Sequence, residues 1–183
     1  MRKIIVSEFL TLDGVMEAPE EWQFPYLSDD VAEFIKVQIL ALDAQLLGRV
    51  TYDIFAASWP SQTNNEFGIA DKLNSMPKYV VSSTLKKADW NPTTVINGNV
   101  VEAISKLKQQ PGGSIGITGS ATLVQSLMKA DLIDEYQLQV YPIVLGKGRR
   151  LFKDGIDKKL KLVESKTFSS GVVILIYQPD RKA

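Results

Sequence analysis

Two short stretches carry residue types that can hold an anion. Ala44-Gln45-Leu46-Leu47-Gly48-Arg49-Val50-Thr51-Tyr52 and Gly116-Ile117-Thr118-Gly119-Ser120-Ala121-Thr122-Leu123 each pass from an apolar run through a glycine into a periodic segment. The apolar runs read as buried strands and the periodic segments as helices. Glycine at such a corner lets the backbone approach a ligand, and the unpaired N–H groups of a helix's first turn favour negative charge. One corner adds Arg49, the other Ser120 and Thr122. Together they predict a pyrophosphate held between neighbouring strands of an α/β sheet.

The elements that must position these corners alternate along the chain. Lys3 to Phe9 is β-branched and aromatic and runs to a turn at Asp13-Gly14. A loop with Trp22, Phe24, Pro25 and Tyr26 precedes a helix that starts near Ser28-Asp29-Asp30, residues suited to capping. Val31, Phe34, Ile35, Ile39 and Leu42 then follow the stripe of a core-facing helix. Leu46-Leu47 is a strand and Val50 to Ala57 a helix closed by Trp59-Pro60; Phe67 to Asn74 is a helix ending before Pro77. Strands over 79–82 and 93–96, a helix over 101–107, a strand over 114–118 and a helix over 121–130 complete the alternating part. The last third reads as strands over 135–141, 160–168 and 172–177, the final two forming a hairpin around Ser169-Ser170-Gly171. The expected fold is one three-layer α/β domain over residues 1–183, its mostly parallel central sheet closed by an antiparallel C-terminal hairpin.

Composition narrows the chemistry. The 21 basic and 21 acidic residues balance, so no overall field draws the chain to nucleic acid or a membrane. The basic cluster Lys147, Arg149, Arg150 and Lys153 reads as a solvated loop or an oligomer surface. The absence of cysteine and histidine excludes disulfides and thiolate chemistry and removes the commonest metal ligand and general base. No carboxylate cluster has metal-ligand spacing, so no metal is expected. No secretory h-region and no membrane-length apolar run is present, which predicts a soluble, cytoplasmic protein. Neither G-x-G-x-x-G after a strand nor a P-loop occurs, and Ser83-Thr84-Leu85-Lys86 matches S-x-x-K without its companion motifs.

The corner Gly48-Arg49-Val50-Thr51-Tyr52 resembles the Gly-Arg-x-Thr-aromatic corner of dihydrofolate reductases, and Thr118-Gly119-Ser120-Ala121-Thr122-Leu123 their second glycine corner. Leu12-Asp13-Gly14, Leu132-Ile133-Asp134-Glu135, Tyr141-Pro142-Ile143-Val144-Leu145-Gly146-Lys147-Gly148 and Leu151-Phe152 are more similar to the reductase domain of the bifunctional riboflavin-biosynthesis deaminase-reductase. The likeness runs in order along essentially the whole chain and covers only the reductase half. Where those reductases usually carry Glu-Gly-Gly and dihydrofolate reductases Gly-Gly, this chain has Ile117-Thr118-Gly119-Ser120.

The resemblance implies an NADPH-dependent reductase of a pterin- or aminopyrimidine-type metabolite, similar to 5-amino-6-(5-phosphoribosylamino)uracil reductase, and a homodimer. Arg49 would neutralise the 2′-phosphate of NADPH. Gly48, Thr51 and adjacent amides would hold the pyrophosphate, and Ser82 and Ser83 the adenosine-side phosphate. Gly119, Ser120, Ala121 and Thr122 would cradle the nicotinamide half. Hydride transfer needs a held cofactor rather than a protein nucleophile, so missing His and Cys cost little. By the same resemblance Asp30 or Asp29 would anchor and protonate the heterocycle, although helix capping explains both. Asp13 would face the nicotinamide site, although a Leu-Asp-Gly turn accounts for it equally. Trp22, Phe34, Tyr52, Trp59 and Gln139 are candidates for the substrate pocket or for plain core. The alternative reading is a non-catalytic NADP-binding protein that keeps the fold and has lost the chemistry.

Overall fold

The computed structural model describes residues 1–62, 64–65 and 68–181. In chain order the elements are β1 (Ile4–Thr11), α1 (Asp29–Leu40), β2 (Ala44–Gly48), α2 (Arg49–Ser58), α3 (Ala70–Ser75), β3 (Lys78–Val81), β4 (Thr93–Ile96), α4 (Val100–Gln109), β5 (Ile115–Ile117), α5 (Ala121–Lys129), β6 (Glu135–Tyr141), β7 (Leu160–Thr167) and β8 (Val173–Pro179). Short 3₁₀ turns lie at Pro19–Glu21, Phe24–Tyr26 and Trp59–Ser61.

The strands form one sheet in the order β4-β3-β2-β5-β1-β6-β8-β7. Every neighbouring pair from β4 to β6 is parallel, while β8 runs antiparallel to both β6 and β7. Helical crossovers link the parallel strands except β3 and β4, which a loop joins, and such strands, covered on both faces, read as unbroken apolar runs. Every residue of β2 is buried accordingly. The apolar stretch from Val172 leads into the interior strand β8, with Val172 just before it and Ile174 within it fully buried, so the open edge on that side is β7. The helix expected from Phe67 is α3; Phe67 itself lies outside the described residues.

Three apolar clusters fill the layers. The largest joins Ile4, Val6 and Leu10 of β1 to Ile104 of α4 and to Leu123, Val124 and Leu127 of α5. A second gathers Leu47, Tyr52, Leu73, Val80 and Trp90 beneath α2 and α3. The third packs Val31 of α1 with Trp22, Tyr141, Phe168 and Ile174. Lys78, at the start of β3, buries its side chain and donates from Nζ to the carbonyls of Leu73 and Met76, each at 2.9 Å. It thereby satisfies carbonyls that the C-terminus of α3 leaves unpaired.

Candidate functional site

Strands β2 and β5 are neighbours, paired from Ala44↔Ile115 to Leu46↔Ile117. Their C-terminal ends therefore bring the two glycine corners together, and the Gly48 N–H donates to the Gly119 carbonyl at 3.4 Å. The Gly119–Ser120 peptide is cis, and Gly119 has φ +72°. A Cβ on Gly119 would lie 2.5 Å from Thr51 Oγ1, and one on Gly48 would lie 2.9 Å from Ser120 Cβ and overlap Ser120 Oγ. Each glycine is thus kept small by a side chain of the opposite corner. Gly48 offers no side-chain cap, so the first-turn N–H groups of α2 lack one. Ser120 does cap α5, its Oγ accepting from the Leu123 N–H at 3.4 Å.

The other proposed cofactor residues occupy the same end of the sheet. Gly48 pairs with Val81 of β3, which places Ser82 and Ser83 beside the first corner. Ser83 is exposed, whereas Ser82 is buried and its Oγ accepts from the N–H groups of Thr84 and Leu85. Arg49 opens α2 and donates from Nε to both carboxylate oxygens of Asp53, at 2.9 and 2.8 Å. That pair sits one helical turn apart on an exposed face.

Glu8 was not expected here. It lies on β1, 4% exposed, and its Oε1 accepts from the Gly119 N–H at 2.7 Å. Burial pushes its carboxyl up to about 8, against the opposing pull of the Gly119 bond. The side chain therefore holds its proton at neutral pH and can give it up only at cost. Its signal was in the sequence: an acid in phase with the inward residues Ile4, Val6 and Leu10 of an apolar strand.

The other face of β1 borders a recess of about 50 Å³ beneath α1. Ile5, Ile35 and Leu42 supply apolar wall, and Ser7, Gln38, Gln137 and Gln139 supply polar groups. Thr118, adjacent to Gly119, also lines it, so the recess opens beside the second corner. Gln139 is fully buried, and among the described residues neither its Oε1 nor its Nε2 has a hydrogen-bond partner. A larger, more open cavity of about 420 Å³ lies between Thr122 and Gln125 of α5 and the exposed basic loop containing Arg149, Arg150 and Lys153.

The remaining expected site residues are placed elsewhere. Asp30 accepts from Ser28 Oγ at 2.5 Å and from the Ser169 N–H and Oγ at 2.9 and 3.0 Å. These bonds, led by that from Ser28, hold its carboxyl down at about 2. The carboxylate clamps the start of α1 to the β7–β8 turn, and these bonds favour its ionised form. Asp29 is simply exposed. Asp13 accepts from Thr11 Oγ1 at 2.6 Å and from the Gly146 N–H at 2.8 Å, fastening the end of β1 to the basic loop. Trp22 packs edge-on against Tyr141, with ring centroids 5.3 Å apart, and Phe34 lies against Phe168 at 5.3 Å. Tyr52 accepts from the Trp90 N–H through its hydroxyl, and Trp59 packs on Phe55. Trp22 and Tyr52 are buried in the core, Phe34 and Trp59 are half-buried against it, and none of the four lines the recess. Among the described residues, no three His, Cys, Asp or Glu side chains come together as a metal site, and no helix is long and apolar enough to cross a membrane.

The family model of the RibD C-terminal domain matches residues 2–174. The chain belongs to this family. It is similar to the uncharacterized protein YyaP of Bacillus subtilis (strain 168), 34% identical over 182 residues that cover 96% of this chain and 94% of that one. Among solved structures it resembles the diaminohydroxyphosphoribosylaminopyrimidine deaminase/5-amino-6-(5-phosphoribosylamino)uracil reductase of Thermotoga maritima. The TM-score is 0.71 and the identity 14%, with 97% of this chain matched to 56% of that one. It also resembles dihydrofolate reductase from Enterococcus faecalis, complexed with NADP(H), at a TM-score of 0.66 and 15% identity over 97% and 96% of the two chains. The RibD C-terminal domain of this chain has a dihydrofolate reductase-like fold, with a mostly parallel sheet closed by an antiparallel hairpin.

Proposed function

We propose that this RibD C-terminal domain protein is an NADPH-dependent reductase of a pterin- or aminopyrimidine-type metabolite, resembling 5-amino-6-(5-phosphoribosylamino)uracil reductase. The observation that carries the reading is the interlocked pair of glycine corners, which brings two helix N-termini together, with the Thr51 and Ser120 hydroxyls packed against the glycines, beside a polar recess. Gly48, Thr51 and the first-turn amides of α2 would hold the pyrophosphate, and Arg49 the 2′-phosphate once it leaves Asp53. Ser83 would reach the adenosine side, with Ser82 holding the turn behind it. Gly119, Ser120, Ala121 and Thr122 would border the nicotinamide half. NADPH supplies the hydride when bound. Glu8 holds the Gly119 amide in place and carries a proton next to that corner, while Asp30 is engaged with the hairpin turn.

The test is oxidation of NADPH, followed at its absorbance maximum, against a panel of pteridines and ribosylamino-pyrimidines, with mass spectrometry of any ligand that survives purification. Turnover with one substrate class is the expected result. A second reading, NADP binding without catalysis, draws on the engagement of Asp30; it predicts tight NADPH binding and no turnover with any member of the panel. We further propose a homodimer associating through the open edge of β7, where Leu162 and Val163 are about half exposed.

A further inference from the structure

We propose that Asn97 is a self-modification site: its carboxamide cyclises onto the Gly98 amide with loss of ammonia, and hydrolysis leaves a carboxylate at the adenosine end of the cofactor groove. Asn97-Gly98 is the single Asn-Gly step in the chain. It follows β4, the outermost strand of the sheet, and both residues are exposed. Gly98 has φ +76°, and a Cβ built on it would meet nothing within 4 Å. Among the described residues, neither the Gly98 N–H nor the Asn97 carboxamide makes a hydrogen bond. The attacking nitrogen and the carbon it must reach are thus both free and open to water, and glycine puts no side chain in the way.

The other asparagines each lack one of these conditions. Asn74 Oδ1 accepts from Trp90 Nε1 at 2.8 Å, and its Nδ2 donates to the Trp59 carbonyl at 2.9 Å. Asn99 caps α4 by accepting from the Glu102 N–H, and Asn91 precedes Pro92, which has no N–H to attack with. Asn64 and Asn65 are each followed by a residue that carries a side chain. The chemically related step Asp13-Gly14 is closed as well. There the Gly14 N–H donates to the Thr11 carbonyl at 2.9 Å, and Asp13 accepts from the Gly146 N–H at 2.8 Å.

In the reaction the Gly98 nitrogen gives up its proton and bonds to Asn97 Cγ as the Cγ–Nδ2 bond breaks and Nδ2 leaves as ammonia. Water then opens the cyclic imide at either carbonyl. The product is aspartate, or isoaspartate with a backbone one methylene longer; nothing is oxidised or reduced. The Ser82 N–H donates to the Ile96 carbonyl at 3.0 Å, which sets Asn97 beside Ser82. The new charge therefore arises next to the turn proposed for the adenosine-side phosphate, and this consequence alone rests on the reductase reading.

The experiment holds the full chain at mildly alkaline pH, maps its peptides by mass at intervals, and separates the more acidic product by anion exchange. Asn97 is expected to change from amide to acid well ahead of every other asparagine. Asn97→Gln, whose ring would be one atom larger, is expected to stay unmodified with an unchanged melting temperature. The aged protein and Asn97→Asp are both expected to bind NADPH about threefold more weakly than fresh protein at low salt, with the gap closing at high salt. Modification at Asn97 no faster than at Asn74 overturns the site. Modification with unchanged NADPH affinity overturns its placement beside the cofactor. If fresh protein binds no NADPH, the reductase reading falls, and the peptide map still decides whether Asn97 is modified.

Discussion

Replacing Glu8 with glutamine should flatten the pH dependence of stability in a window where little else titrates. The carboxyl is raised from 4.5 to about 8 by burial, so between those values the folded chain keeps a proton that the unfolded chain has lost. Stability must then fall as pH rises, by about 5 kcal/mol over the whole interval and about 2–3 kcal/mol between pH 5 and pH 7. The chain has no histidine, so no side chain of ordinary pKa competes between these limits. Asp13 and Asp30 are held down at about 2 and act only in acid, while Lys78, lowered to about 8 by burial, acts above the window and with the opposite sign. The Glu8→Gln side chain keeps an oxygen to accept the Gly119 N–H, so the corner should survive the substitution. Urea unfolding at several pH values gives both slopes. Wild type should lose stability steadily toward neutral pH and the variant should not. Parallel profiles for the two proteins would refute the argument, because Glu8 would then be ionised in the fold or hydrated.

Arg49→Ala should weaken NADPH binding more than NADH binding, by roughly 1.5–3 kcal/mol for a lost charge-assisted hydrogen bond, while Asp53→Asn should tighten NADPH by releasing the guanidinium; competitive fluorescence titration reads both, and equal losses for the two cofactors would move Arg49 away from the 2′-phosphate. Asp30→Asn should leave NADPH binding and turnover nearly unchanged. Because the carboxyl is lowered, its contribution is present above about pH 4 and lost as pH falls toward 2, so the variant should show a shallower acid-unfolding profile; lost turnover would restore Asp30 to the chemistry. Light scattering at micromolar concentration should give the mass of two chains, and Val163→Lys on β7 should reduce it to one; a wild-type monomer would remove the dimer.

The alternation of elements was legible because buried parallel strands leave unbroken apolar runs and the helices leave striped ones. Strand β4 falls on Thr93–Ile96 and β6 on Glu135–Tyr141, with the bounds read from the residues alone. The two corners were visible for the same reason, since a glycine between a strand and a helix leaves a local mark. What connects distant segments leaves none. Asp30 looked like a helix cap or a proton donor, and its clamp on Ser169 joins residues 139 positions apart. Arg49 shows a four-residue spacing to Asp53 that could have been noticed. The aromatics Trp22, Phe34, Tyr52 and Trp59 lie away from the recess, and spacing alone does not say which face of the sheet an element covers. Gln139 of those candidates reaches the recess, placed there by strand alternation on β6.

The two corners also constrain how this groove can change over generations. Gly48 has φ −72°, an ordinary backbone, so what keeps a larger residue out is position 120, chiefly the Ser120 side chain and to a lesser degree its backbone nitrogen at 3.2 Å. Gly119 is held twice, by Thr51 and by its left-handed backbone. A lineage could therefore replace Gly48, but only after position 120 had given up its side chain, and with it the cap on α5. Shrinking Thr51 opens no comparable path at Gly119. Of the two glycines one is negotiable in a fixed order of steps and the other is not, so variation among descendants should collect on the β2 side of the groove and leave the β5 side unchanged.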